Sequence, residues 1–203
     1  ALENAVMVMM AVGGSTNAVI HCCAIGHELG FSPREIVSMF ERYSERIPLV
    51  AKINPASPDY DCEDLYKAGG IPEVMKVIRE LLHTGAMTVN MQDVGKNLDE
   101  FVNLYPPNPA VIGTLENPHC SSGGIAIMRG NIAPDGGVAK PAAIAEEAWN
   151  FAGKAVCFDS EQHCIEAIGK REIKAGDVVV IRYEGPKGGP GMREMLSPTS
   201  AVK

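Results

Sequence analysis

The chain has 203 residues, of which 46% are hydrophobic and 21% charged, with a net charge of −7. This is the composition of a soluble globular protein with room for one large domain or two small ones. The acidic balance and the lack of a basic run exclude a nucleic-acid partner, and no apolar stretch reaches the roughly 18 residues of a membrane span. Ala1-Leu2-Glu3-Asn4 has neither an initiator methionine nor the basic-then-apolar order of a signal peptide, so the chain reads as an internal piece of a longer protein.

Residues 1–12, rich in Val, Met and Ala, predict a buried helix or strand that ends at Gly13-Gly14. Ser15, Thr16 or Asn17 then caps a helix over Ala18–Leu29, closed by Gly30. Three polar side chains and the free amides of such a helix start also suit a carboxylate or phosphate, so capping and substrate binding both stand as readings. Ser32-Pro33-Arg34-Glu35 is a capping box that opens a helix with Ile36, Val37 and Phe40 on its apolar face. Leu49–Ile53 is a short strand candidate. The acidic cluster Asp59, Asp61, Glu63 and Asp64 lacks the Gly and closing Glu of a calcium loop and reads as a solvated helix start. Gly69-Gly70 breaks the chain, Pro72 begins another helix, and Gly85 ends it.

From about Val94 the texture changes. Three prolines fall between Asn103 and Pro109, and strand candidates follow at Ile125–Arg129, Ala155–Phe158 and Val178–Tyr183. Between the last two, Ser160–Ile168 reads as a helix capped by Ser160. The first part, 1–93, is therefore expected to be α/β, and the second, 94–203, mostly β with few helices.

The six cysteines are Cys22, Cys23, Cys62, Cys120, Cys157 and Cys164, and none forms a Cys-x-x-Cys pair. They read as thiols in a reducing cytoplasm. Metal binding by Cys22 and Cys23 with His21 or His27 is disfavoured, because adjacent residues on a helix point about 100° apart.

The most distinctive stretch is Tyr183-Glu184-Gly185-Pro186-Lys187-Gly188-Gly189-Pro190-Gly191-Met192-Arg193-Glu194-Met195-Leu196. It follows the apolar run Val178–Ile181 and packs four glycines and two prolines into the seven residues 185–191. Such a loop is rigid yet lets a ligand approach backbone amides, which suits an anion or a metal-bound acid. Glu184 and Glu194 flank it, and residue chemistry alone leaves open which of them reaches a metal. Glu184 has a competing partner in Arg182 or Lys187.

This stretch resembles the loop of the dihydroxy-acid dehydratases, which are grouped with the sugar-acid and phosphogluconate dehydratases. Gly13-Gly14-Ser15-Thr16-Asn17 and Gly123-Gly124-Ile125-Ala126-Ile127, with Gly130-Asn131-Ile132-Ala133-Pro134-Asp135-Gly136, resemble two further segments of that family. The resemblance implies a hydro-lyase that converts 2,3-dihydroxy-3-methyl carboxylic acids to 2-keto acids in valine and isoleucine biosynthesis. The Lys187-Gly188-Gly189-Pro190 and Met192-Arg193-Glu194 wording is similar to that branch, since sugar-acid relatives more often place proline before the glutamate. A sugar-acid dehydratase and a non-catalytic binding module are the alternatives.

For the fold, the resemblance implies that 1–93 ends an α/β/α domain and 94–203 begins a β-barrel-like domain. For the cofactors, it implies Mg²⁺ and an iron–sulfur cluster, [2Fe–2S] or [4Fe–4S]. It carries the Mg²⁺-ligating glutamate onto Glu194, with Glu184 the weaker alternative, and it raises Ser15, Thr16 and Asn17 as substrate-binding residues. It places the cluster cysteines and the other metal ligands upstream, matches none of the six cysteines here to the cluster, and puts the base serine beyond Lys203. The chain alone is accordingly expected to be inactive, and the full-length enzyme a cytoplasmic (or, in a eukaryote, organelle-matrix) homodimer acting on a small dihydroxy acid.

Overall fold

The computed structural model describes residues 1–54, 56–187 and 193–202. It divides into two compact units, Ala1–Ala145 and Glu146–Lys203.

The first unit is built on α1 (Leu2–Val12), which is apolar nearly all round and so can sit only inside a core. Val6, Met7, Met10 and Ala11 are fully buried there. Asn4, the polar exception, is buried with both ends of its amide satisfied. Its Nδ2 donates to the His83 carbonyl at 3.0 Å, and its Oδ1 accepts from the His83 amide at 2.9 Å. α2 (Asn17–Glu28) and α3 (Pro33–Ser44) follow. The capping box that opens α3 is complete: Ser32 Oγ accepts from the Glu35 amide at 3.3 Å, and Glu35 Oε2 accepts from the Ser32 amide at 2.7 Å. This satisfies two donors that a bare helix start would leave unpaired. Ile36, Met39, Phe40 and Tyr43 then recur at helical spacing and face the core. Full burial of side chains such as Ile36 and Phe40 is worth about 1.5–3 kcal/mol each.

The segment 49–53 is extended, but it forms isolated bridges rather than a ladder: Leu49 with Cys120 and Ala51 with Ile112. The amides of Val50 and Ala51 both donate to the Ala11 carbonyl, at 2.9 and 3.0 Å. The end of α1 thereby takes hydrogen bonds that a neighbouring strand would need. α4 (Cys62–Lys67) shows where the acidic cluster is used. Asp61 caps it by accepting from the amides of Glu63 and Asp64, and Asp64 reaches back to the Asp61 amide at 2.9 Å. α5 (Gly70–Val77) and α6 (Val94–Glu100) complete the helices of this unit. A short antiparallel pair, β1 (Ala126–Met128) and β2 (Gly137–Ala139), registers Ile127 against Val138. Val94, Leu98, Val111, Ile112 and Ile125 belong to the same core as α1 and α3.

The second unit contains a β-α-β segment: β3 (Lys154–Phe158), α7 (Glu161–Gly169) and β4 (Asp177–Ile181), with the strands parallel and Val156 opposite Val179. Ser160 caps α7, as its sequence position predicts, accepting from the His163 amide at 3.2 Å. α8 (Leu196–Ala201) closes the unit. Its buried apolar residues are few, with Cys164 and Ala167 the principal ones, and every residue of β4 is half-buried. Among the described residues the strands form two two-stranded sheets and no closed barrel. Among the described residues no helix is long and apolar enough to cross a membrane.

Candidate functional site

Two of the three motif segments meet in the first unit. Gly13 ends α1 in the left-handed region (φ 63°), and the backbone of Gly124 crosses it closely. A Cβ on Gly124 would stand 2.2 Å from the Gly13 Cα, and one on Gly13 would stand 3.0 Å from Leu49 Cδ1. Gly124 has no room for a side chain and Gly13 holds a left-handed φ, so these two glycines are needed for this crossing. The Gly124 amide donates to the Met10 carbonyl at 2.9 Å and the Gly123 amide to the Ser44 carbonyl at 2.7 Å, which ties the crossing to α1 and α3.

The turn after Gly13 carries Ser15, Thr16 and Asn17. Thr16 stands at the cap position of α2 but makes no side-chain capping bond. The capping contact comes from Ser15, whose Oγ accepts from the Asn17 amide at 3.2 Å. Ser15 is exposed, and Thr16 and Asn17 are half-buried. The far end of α2 closes as expected around Gly30: the Gly30 amide bonds the His27 carbonyl at 2.9 Å and the Phe31 amide the Gly26 carbonyl at 2.8 Å. A residue the motifs did not mark, Lys140, lies beside the turn, with its Cε 3.8 Å from the position of a Gly13 Cβ. Burial pushes its ammonium below the ordinary lysine range.

The third motif lies in the second unit, at the C-terminal end of β4. Residues 188–192 of the glycine loop fall outside the described residues, but both of its shoulders are defined. Tyr183 (φ 60°) and Met195 (φ 56°) adopt the left-handed region, which is unfavourable for a side chain of this size. They stand immediately before Glu184 and immediately after Glu194. Backbone strain that brackets a loop in this way is characteristic of ligand-holding segments.

The two carboxylates differ sharply. Glu184 is buried, its side chain 8% exposed. Its Oε1 accepts from the Glu161 amide at 2.7 Å, at the start of α7. Its Oε2 lies 3.1 Å from Arg193 Nε, an ion pair without a well-directed hydrogen bond. Arg193 also donates to Glu161 Oε2 at 2.8 Å, and this bond, followed by the charge of Glu184, raises its basicity. Arg182 pairs with Asp159 rather than with Glu184. The partner expected for Glu184 among Arg182 and Lys187 is therefore Arg193. Glu184 is committed to joining the loop to α7, whereas Glu194 is exposed.

An exposed carboxylate at the end of a glycine loop fits a hard cation as one of the one or two protein carboxylates Mg²⁺ commonly keeps. Among the described residues no cluster of three His, Cys, Asp or Glu is placed to complete such a site. Among the described residues no three cysteines are grouped together. Cys22 and Cys164 are buried, and burial raises both thiols. Cys23 is displaced around α2 from Cys22, and Cys120 is engaged with Ser122 Oγ at 3.4 Å.

The sequence models of two family segments match this chain: "Dihydroxy-acid/6-phosphogluconate dehydratase N-terminal" over residues 1–97 and "C-terminal" over residues 110–203. The chain belongs to the dihydroxy-acid/6-phosphogluconate dehydratase family. Among its relatives, the dihydroxy-acid dehydratase of Aquifex aeolicus is 48% identical over 205 residues, covering 100% of this chain and 36% of the relative. That of Methanococcoides burtonii is 48% identical over 202 residues, covering 98% and 36%. That of Agathobacter rectalis is 48% identical over 204 residues, covering 100% and 35%. The chain thus spans about a third of the length of these family members, and its three glycine motifs all fall inside the matched residues.

Proposed function

We propose that this chain is part of a hydro-lyase that removes water from 2,3-dihydroxy-3-methyl carboxylic acids to give 2-keto acids, as in valine and isoleucine biosynthesis. The observation that carries the proposal is 48% identity to a dihydroxy-acid dehydratase along the whole chain. The division of labour between Glu184 and Glu194 supports it further. In this reading 1–93 ends an α/β/α domain and 94–203 begins a barrel-like domain, and the separate family matches at 1–97 and 110–203 support that division. The acting protein is a cytoplasmic or organelle-matrix dimer.

Each residue has a defined task. Ser15, Thr16 and Asn17 present hydroxyl and amide groups to the substrate at the start of α2. Ser15 Oγ, while accepting from the Asn17 amide, keeps its own proton to donate outward. Glu184, Arg193 and Glu161 clamp the shoulder of the loop to α7, and Glu194 lies exposed two residues before α8. Glu194 is the Mg²⁺ ligand of this chain. The bound cation would supply a positive centre for substrate oxygens. The iron–sulfur cluster takes no ligand from these six cysteines, and the base serine lies outside this chain.

The test is to produce the protein at its relatives' full length, carrying this chain, and to supply 2,3-dihydroxy-3-methylbutanoate. Accumulation of the 2-keto acid is expected, and faster than with any sugar acid. Preference for a sugar acid would move the enzyme to the neighbouring branch, and binding without turnover would make it a non-catalytic module.

A further inference from the structure

Lys140 directly follows β2 and is half-buried, yet among the described residues nothing forms a hydrogen bond or ion pair with its ammonium. A charged group withdrawn from water without a counter-charge is costly, and long side chains usually escape that cost by extending to solvent. Lys140 instead runs beside Gly13, which opens the Ser15–Asn17 turn, where the backbone crossing with Gly124 and the side chain of Leu49 leave no room for a Cβ. That wall offers carbon and backbone, and no acid. A bound anion would supply the missing counter-charge.

Resting on the dehydratase reading above, the substrate supplies one. A dihydroxy acid carries a carboxylate at neutral pH, and an ammonium offers three donors that match it. We propose that Lys140 binds the substrate carboxylate beside the Gly13–Asn17 turn. The depressed basicity of its ammonium agrees with a site that is under-compensated until an anion arrives. The two Gly-Gly pairs then have a purpose beyond packing: they bring the end of β2 and the start of α2 to one place.

The experiment uses the full-length protein with 2,3-dihydroxy-3-methylbutanoate as ligand. Lys140→Met is expected to raise KM about 10- to 100-fold, the worth of a charged hydrogen bond, with a smaller change in kcat. Lys140→Arg should recover part of that loss. The melting temperature of Lys140→Met should not fall, because an unpaired charge has been removed. In the wild-type protein, acetylation of Lys140 by an N-hydroxysuccinimide ester, read by peptide mass spectrometry, should slow when the dihydroxy acid is present. An active enzyme whose KM is unchanged in Lys140→Met, or whose Lys140 labelling ignores the substrate, overturns the assignment. A lower melting temperature with unchanged KM marks Lys140 as structural and overturns it equally. A wild-type protein that does not turn over the dihydroxy acid overturns the dehydratase reading itself.

Discussion

At Gly13 and Gly124 two backbone segments cross inside a core that extends from Val6 to Ile125, whereas the glycine-rich stretch after β4 leaves a half-buried strand in a unit with few buried apolar residues. In the first place the absence of side chains is enforced by neighbours at 2.2–3.0 Å. In the second the shoulders are held by charge, through Glu184, Arg193 and Glu161, and by two residues in strained backbone conformations. The same residue type therefore answers to packing in the first unit, whereas in the second the proposed function assigns it to ligand presentation. Substitutions in the first should register mainly in stability, and substitutions in the second mainly in activity.

The strongest way to break that comparison through folding is Gly124→Ala. The added methyl group would meet the Gly13 backbone at 2.2 Å and Leu49 Cδ1 at 3.1 Å, so it should cost about 3 kcal/mol or more, measured by urea denaturation. A loss within about 0.5 kcal/mol, the range of neutral surface changes, would show that the crossing is loose. Glu184→Ala comes next. It removes the acceptor of the Glu161 amide at the start of α7 and one of the two acidic neighbours of Arg193, and should cost about 2 kcal/mol, within the range for hydrogen bonds to charged groups. If Glu184 were a metal ligand instead, its removal would spare stability in metal-free buffer. Ser32→Ala should cost about 1 kcal/mol by deleting the capping box of α3.

The smallest effect concerns pH. Burial lowers the basicity of His119, with the charge of Lys52 adding to it and a backbone bond to Val111 opposing it. The unfolded chain then takes up a proton more readily than the folded one. Stability contributed by neutral His119 is full above an ordinary histidine pKa of about 6.5 and declines as pH falls below it toward the lower folded value. His119→Gln should flatten the acid limb of a melting-temperature profile by a measurable margin, and an identical profile would exclude the effect.

The features legible in the sequence are those fixed within a few residues. Ser32-Pro33-Arg34-Glu35, Ser160 and Gly30 mark helix ends because capping bonds are local. Asp135-Gly136 before β2 is a hairpin signal, but at three residues β2 is too short for alternation to show. Leu49–Ile53 reads as a strand, but its Val50 and Ala51 amides are claimed by the end of α1, which only tertiary packing decides. The core crosses residue 94 without a break, because burial joins Val94 and Ile125 to Val6 irrespective of changes in composition. At the site, the motifs mark Ser15, Thr16, Asn17, Glu184 and Glu194. They do not separate the roles of the two glutamates, since the bond from Glu184 to the Glu161 amide spans 23 residues. Lys140 carries no sequence signal. Its distinction is an ammonium that no group meets among the described residues, and that is visible only in three dimensions.

The central claim is that Glu194 faces a metal while Glu184 holds the loop to α7. It is tested most directly by titrating Mg²⁺ into the full-length protein, as wild type, Glu194→Gln and Glu184→Gln, while following dehydration of 2,3-dihydroxy-3-methylbutanoate. Changes merely adjacent to a metal's ligands cost about 10–100-fold, so loss of a ligand should cost at least as much. Glu194→Gln should require far more Mg²⁺ and lose at least about 100-fold in turnover, with its melting temperature kept. Glu184→Gln should keep a near-normal Mg²⁺ requirement and melt earlier. A normal Mg²⁺ requirement in Glu194→Gln, with the large defect moved to Glu184→Gln, would contradict the account.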